Sequence, residues 1–137
     1  MKRVITYGTF DLFHIGHLNL IKRAAELGDH LTVAVSTDAF NQEKGKKSII
    51  PYAQRAEIVG NIKGVDSVIP EENWEQKATD IKKHKIDVLV MGDDWSGKFD
   101  EFENLCQVVY LQRTSDISSS ELKSAIAMFM RIYEGLQ

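Results

Sequence analysis

Tyr7-Gly8-Thr9-Phe10-Asp11-Leu12-Phe13-His14-Ile15-Gly16-His17 is the stretch on which the reading of this chain turns. The apolar run Val4-Ile5-Thr6-Tyr7 that leads into it reads as a buried strand, and residues 18–27 read as a helix. Two histidines three apart lie between them, with a glycine that leaves the helix start open. At such a strand-to-helix turn, free backbone N–H groups and the helix dipole point at an anion. Two imidazoles there add donors aimed at a phosphoryl group. The arrangement suits transfer of a nucleotidyl group, where a protein mainly positions and stabilises charge.

The rest of the chain repeats the alternation. Apolar runs at residues 3–7, 31–36, 67–69, 88–91 and 108–111 read as strands covered on both faces. Helices are expected between them. Leu18, Ile21, Ala24, Ala25 and Leu27 share one helical face, and Gly28 is read as its C-terminal cap. Pro51 is read as the first turn of a helix continuing through residues 53–62. A polar helix is expected over 75–84, and a last one from 118–120 to about Tyr133. This order predicts a Rossmann-like, doubly wound parallel five-stranded α/β sheet in a single domain, residues 1–137. Ligands of such sheets bind beyond the carboxyl ends of the strands. There the sequence places five polar loops: 8–17, 37–50, 71–77, 92–95 and 112–114.

Composition narrows the class. The chain has 137 residues, 43% of them apolar and 27% charged, as in a globular domain. A formal charge of −3 speaks against a nucleic-acid partner, which wants a basic face. Cys106 is the only cysteine, so no intrachain disulfide forms. No apolar run approaches the ~20 residues of a membrane span. The start Met1-Lys2-Arg3-Val4-Ile5 enters a strand without an apolar leader, so a cytoplasmic protein is expected.

Several motifs in one register carry a resemblance. They are Gly8-Thr9-Phe10-Asp11 with His14-Ile15-Gly16-His17, Ser36-Thr37-Asp38, Asn73-Trp74-Glu75-Gln76-Lys77, Met91-Gly92-Asp93-Asp94-Trp95, and Arg113-Thr114 with Ile117-Ser118-Ser119. The chain resembles the cytidylyltransferase family over nearly its whole length, and within it the bacterial glycerol-3-phosphate cytidylyltransferases. The resemblance implies a Rossmann-like fold, a homodimer and a need for Mg²⁺. The implied partners are CTP and glycerol 3-phosphate, and the implied products are CDP-glycerol, for teichoic acid or a related surface polymer, and pyrophosphate.

The residues are read with their alternatives beside them. His14 and His17 are taken as donors to the CTP phosphates; a metal pair and a helix-cap histidine are the competing readings. Gly8 and Gly16 would allow close backbone approach, and Thr9 and Phe10 would contact the nucleotide. Asp11 either orients the turn or holds the metal. Lys44 and Lys46 match family lysines that meet the acceptor phosphate and the triphosphate, whereas a basic loop is otherwise plain surface, as Lys47 is read. Arg55 is placed in the same pocket, against a helix-surface alternative. The resemblance puts Trp74 and Lys77 at the acceptor site; packing and surface roles are the alternatives. Asp94 is read as a metal or nucleotide ligand or a helix cap, and Asp93 as a turn residue. Arg113, Thr114, Ser118, Ser119 and Ser120 would form an anion-binding helix start for the β and γ phosphates; N-capping explains only one of the serines.

Three departures from the family pattern stand out. Lys63 replaces an arginine in the substrate-binding set and loses its bidentate fork. Asp116 stands where the family has glycine. The tail beyond Ala127 is longer and carries Met128, Phe129, Met130, Ile132 and Tyr133. The rival readings are a cytidylyl- or adenylyltransferase for another phosphorylated alcohol or sugar, and a non-catalytic nucleotide-binding regulatory module.

Overall fold

Five short, mainly apolar strands need cover on both faces, and the computed structural model buries the three central ones while leaving the two edge strands partly exposed. It describes residues 1–115 and 117–136; Asp116 lies outside the described residues. Strands β1 (Arg3–Gly8), β2 (His30–Ser36), β3 (Ser67–Glu71), β4 (Val88–Gly92) and β5 (Gln107–Leu111) form one parallel sheet in the order β3-β2-β1-β4-β5. Val4 pairs with Leu31 on one side and Val88 on the other. The chain winds outward from β1 to β3, then crosses back to β4. The carboxyl ends of β1 and β4 are therefore the switch point at which such sheets bind ligands.

Side chains alternate between two cores. Val4, Leu31, Val33, Val35, Val88 and Val90 face helices α1 (Ile15–Ala25) and α3 (Tyr52–Gly60), meeting Ile21, Ala24 and Val59. Ile5, Tyr7, Ala34, Leu89 and Met91 face α4 (Gln76–Lys83) and meet Ile81 and Phe99. Full burial of each such aliphatic side chain is worth about 1.5–3 kcal/mol. Two 3₁₀ turns, Asp93–Trp95 and Asp100–Asn104, link β4 to β5, and α5 (Ser119–Gly135) ends the described chain.

Three local expectations are corrected. The loop after β2 contains a helix, α2 (Asp38–Glu43), capped by Thr37, whose Oγ1 accepts from Phe40 N at 3.2 Å. Gly28 is not the cap of α1: the helix closes at Glu26, and Gly28 has no left-handed φ. A Cβ at Gly28 would lie 2.6 Å from Val4 Cγ2 and 2.7 Å from Lys2 O, so the glycine serves close passage beside β1. Pro51 lies just outside α3, as an extended N-cap residue with φ −61° and ψ 153°.

Candidate active site

The polar loops converge on one cavity of about 780 Å³ at the switch point. It is lined by β1 and the turn after it, the lysine loop 44–48, Glu71, Trp74, Lys77, the end of β4, residues 111–114 and the start of α5.

The turn after β1 is strained. Phe10 and Leu12 hold left-handed φ angles of 55° and 49°, a conformation that persists only where surroundings over-determine it. Asp11 does much of this. It is 2% exposed, and its carboxylate accepts from Ile49 N (2.7 Å), Ile50 N (2.9 Å) and Leu12 N (3.1 Å). Lys123 Nζ lies 2.8 Å from it. The Lys123 pair and these N–H donors hold the Asp11 carboxyl below its usual range, against the pull of burial. Asp11 is thus committed to joining the turn, the lysine loop and α5. The metal-ligand reading for Asp11 is corrected: protein donors already occupy its oxygens.

The strain ends in an unusual helix start. His14 is the N-cap of α1, and its Nδ1 accepts from Gly16 N at 3.0 Å. His17 Nδ1 accepts from His14 N at 3.2 Å, closing a reciprocal capping box. A Cβ at Gly16 would lie 2.8 Å from His14 Cε1, so only glycine lets its N–H meet the ring. The two rings stack with centroids 3.8 Å apart. An imidazole whose Nδ1 accepts carries its proton on Nε2 when neutral. Both histidines therefore present an Nε2–H. That of His17 lies 3.5 Å from Ser119 Oγ; that of His14 is buried and without a partner among the described residues. Burial, then the charge of Arg113, pushes the His14 pKa down. Burial, then His14, pushes His17 down to about 4. Both shifts favour the neutral imidazole, and His14 Nε2 is left without a protein acceptor among the described residues. The helix-cap reading holds, and because the cap uses Nδ1 it leaves Nε2 of each ring available to donate.

The opposite wall holds buried cations. Lys77, 3% exposed, pairs with Glu71 at 2.7 Å and lies 4.5 Å above the Tyr7 ring and 5.2 Å from that of Phe99. Lys44 Nζ donates to Ser36 Oγ at 2.9 Å and sits 4.5 Å over Phe40 and 5.7 Å over Trp74. Burial lowers the Lys44 pKa to about 8, with Glu71 opposing the shift and Lys46 and Lys77 adding to it. Ser36 also donates to Glu71, at 3.0 Å. Trp74, half exposed, packs edge-on against Phe40 and leaves a face to the cavity. Lys46 lines the cavity as expected; Lys47 is exposed, as read, and also borders the cavity.

The third wall is the start of α5. Ser118 caps the helix, its Oγ accepting from Glu121 N at 3.0 Å. Ser119 Oγ donates to Asp11 O at 2.6 Å, and Ser120 faces the cavity. Arg113, Thr114 and Asp94 line the cavity beside them. Thr114 Oγ1 accepts from Asn19, and Asp93 Oδ1 accepts from Arg113 N at 3.3 Å, the turn role expected of Asp93.

Two assignments fail. Arg55 is 1% exposed and faces away from the cavity. Its guanidinium donates to the carbonyls of Ile50, Thr9 and Ser36, each at 2.8 Å, and to Asp38 at 2.7 Å. With its donors so engaged it braces the loops and does not meet phosphate. Lys63 is exposed in the turn before β3, at the amino edge of the sheet and away from the cavity. Conversely, Glu71 and Lys123 belong to the site and were not singled out in the sequence. A lone acid at a strand end and a lysine four residues into a helix carry no pattern. Lys123 Nζ also donates to Lys47 O at 3.0 Å, tying α5 to the lysine loop.

A parallel sheet with a His-x-Gly-His helix start lining the cavity at its switch point is the arrangement of a nucleotidyltransferase. The profile of the cytidylyltransferase-like family matches residues 5–125, and the chain belongs to that family. It is 58% identical to glycerol-3-phosphate cytidylyltransferase of Bacillus subtilis (strain 168) over 127 residues, 93% of this chain and 98% of that one. It is 53% identical to the enzyme of that name from Staphylococcus aureus (strain NCTC 8325 / PS 47), over 92% of this chain and 96% of the other. Among solved structures, a lipopolysaccharide core biosynthesis protein from Thermoplasma volcanium GSS1 superimposes with a TM-score of 0.72 at 27% identity, covering 84% of this chain and 99% of that one.

Proposed function

We propose that the protein transfers the cytidylyl group of CTP to sn-glycerol 3-phosphate, giving CDP-glycerol and pyrophosphate, with the product destined for teichoic acid or a related surface polymer. The observation that carries the mechanism is the capping box, in which Nδ1 of both His14 and His17 accepts a backbone N–H and leaves Nε2 to donate, on two side chains that line the cavity. A phosphate oxygen of the acceptor, anionic at neutral pH, attacks the α-phosphorus in line. The bond from that phosphorus to the bridging oxygen breaks, and pyrophosphate leaves with the electron pair. No proton has to be removed from the nucleophile. Donors that strengthen as charge builds at the α-phosphoryl oxygens lower the barrier. The start of α5 and Arg113 are placed for the leaving β and γ phosphates. Lys44, Lys46, Lys77 and Trp74 form the acceptor side.

Mg²⁺ keeps most of its water and binds through one or two carboxylates plus substrate phosphates. Asp94, on the cavity wall with no hydrogen-bond partner of its own among the described residues, suits such a site and would hold the ion against the triphosphate, neutralising its charge. The assembly proposed is a homodimer, supported by the family resemblance. No helix among the described residues is long and apolar enough to cross a membrane.

Pyrophosphate release tests the reaction. With CTP and Mg²⁺, release that depends on glycerol 3-phosphate and falls at least tenfold with ATP is expected. Release with another phosphorylated alcohol or sugar alone would reassign the acceptor, and CTP binding without release would favour the regulatory reading.

A further inference from the structure

One side chain on the lysine wall is placed for chemistry that cytidylyl transfer does not use. Lys44 closes α2 at its carboxyl end and is half-buried. Its Nζ turns back over the Phe40 ring, 4.5 Å from the centroid, and stands 5.7 Å from that of Trp74. It donates to Ser36 Oγ at 2.9 Å, and Ser36 Oγ donates in turn to Glu71 Oε1 at 3.0 Å. A proton on the Lys44 ammonium therefore has a continuous path to a buried carboxylate. The other oxygen of that carboxylate accepts from Lys77 at 2.7 Å. Two lysines thus share one acid.

An amine desolvated among aromatic rings and crowded by other cations is an activated lysine nucleophile. Both conditions hold here. Burial lowers the Lys44 pKa to about 8; Lys46, Lys77 and Arg55 push the same way, and Glu71 opposes them. About one Lys44 side chain in ten is then a free amine at pH 7, against under ~0.1% for an ordinary lysine. Lys46 and Lys47, exposed on the same loop, lack that enclosure. The wall also offers what a reaction partner needs. Lys77 and Lys46 supply cations for a phosphate monoester, and the cavity of about 780 Å³ leaves room beside them for a short carbon skeleton. Glycerol 3-phosphate carries only hydroxyls on that skeleton, which do not react with an amine. Its counterpart with an aldehyde in place of a hydroxyl does.

We infer that Lys44 forms a reversible imine with small phosphorylated aldehydes held on the acceptor side of the cavity, closing the site to the acceptor. The inference rests on the acceptor reading of the lysine wall and adds a regulatory ligand to it. The ammonium passes a proton through Ser36 to Glu71, and the freed Nζ lone pair attacks the carbonyl carbon. The carbinolamine takes the proton back, loses its hydroxyl as water and leaves a protonated C=N bond. Nothing is oxidised or reduced, and the proton count is unchanged. Lys77 and Lys46 hold the phosphate throughout.

Borohydride trapping with glyceraldehyde 3-phosphate, followed by peptide mass spectrometry on the full chain, tests it. Reduction fixes the imine as a stable secondary amine. Lys44 should be labelled at least tenfold faster than Lys46 or Lys47, and at least tenfold slower with glyceraldehyde, which lacks the phosphate. Lys44→Arg, which keeps the charge, should take up no phosphate-dependent label. Labelling of Lys44 no faster than that of its exposed neighbours, or equally fast with both aldehydes, would overturn the inference. A second arm adds excess glycerol 3-phosphate. Protection of Lys44 supports both readings. Selective, phosphate-dependent labelling that glycerol 3-phosphate does not slow would keep the imine and overturn the acceptor reading instead.

Discussion

The two long walls of the cavity differ in how they would meet phosphate under the proposed reaction. The histidine wall presents neutral N–H donors, held by a strained turn and a capping box, with depressed pKa values. The lysine wall presents cations buried among Phe40, Tyr7, Trp74 and Phe99 and balanced by one acid, Glu71. A neutral donor costs little to hold in the empty site and gains most when the substrate's charge rises. A buried cation binds a dianionic acceptor in its ground state but needs a counter-charge to be tolerated. On the proposed reaction, the histidine wall would govern rate and the lysine wall affinity.

The largest expected effect breaks the lysine wall. Lys77→Met strands Glu71 in the core and should destabilise the protein by about 3–5 kcal/mol in urea unfolding. Adding Glu71→Gln should restore much of that stability without restoring acceptor affinity. Next, His14→Ala or His17→Ala should lower kcat by about 10²–10³-fold with a smaller change in KM for CTP. If KM carries the loss instead, the division between the walls is wrong.

The two walls should also separate with pH. Burial pushes the folded His17 pKa down to about 4 from the ordinary imidazole value of about 6.5, so the unfolded chain takes up the proton first. Its contribution is complete above pH 6.5 and is lost as pH falls through 4, on the order of 3 kcal/mol. His17→Gln should flatten that part of the stability curve. Lys44, lowered to about 8, loses its charge as pH rises through that value, so KM for glycerol 3-phosphate should climb above pH 8. Lys44→Arg should move the climb to higher pH. The smallest effect is expected at the joint between walls. Lys123→Met should raise KM severalfold for either substrate by releasing the lysine loop from α5, and Lys123→Arg should recover most of it.

The sheet was legible because each strand is a short, mainly apolar run ending in a polar loop, which also located the switch point. The histidine turn was legible for the same reason: strand, turn and helix follow one another within a few residues. Arg55 was misread because its partners are backbone carbonyls of Thr9, Ser36 and Ile50, which leave no mark in a sequence. Lys63 was carried into the site by resemblance, while its place before β3 puts it at the other edge of the sheet. Glu71 and Lys123 entered only when folding brought distant segments together, and α2 is six residues long, too short to show a period.

The central claim is that one capping box both starts α1 and arms the site. Nitrogen-15 NMR of the histidine rings, with and without a non-reacting CTP analogue, tests it directly. Both rings should show a protonated Nε2 and an accepting Nδ1 in the free protein, and the His14 Nε2–H resonance should shift when the analogue binds. Protonation at Nδ1, or bound nucleotide that leaves both Nε2–H signals unmoved, would contradict the account.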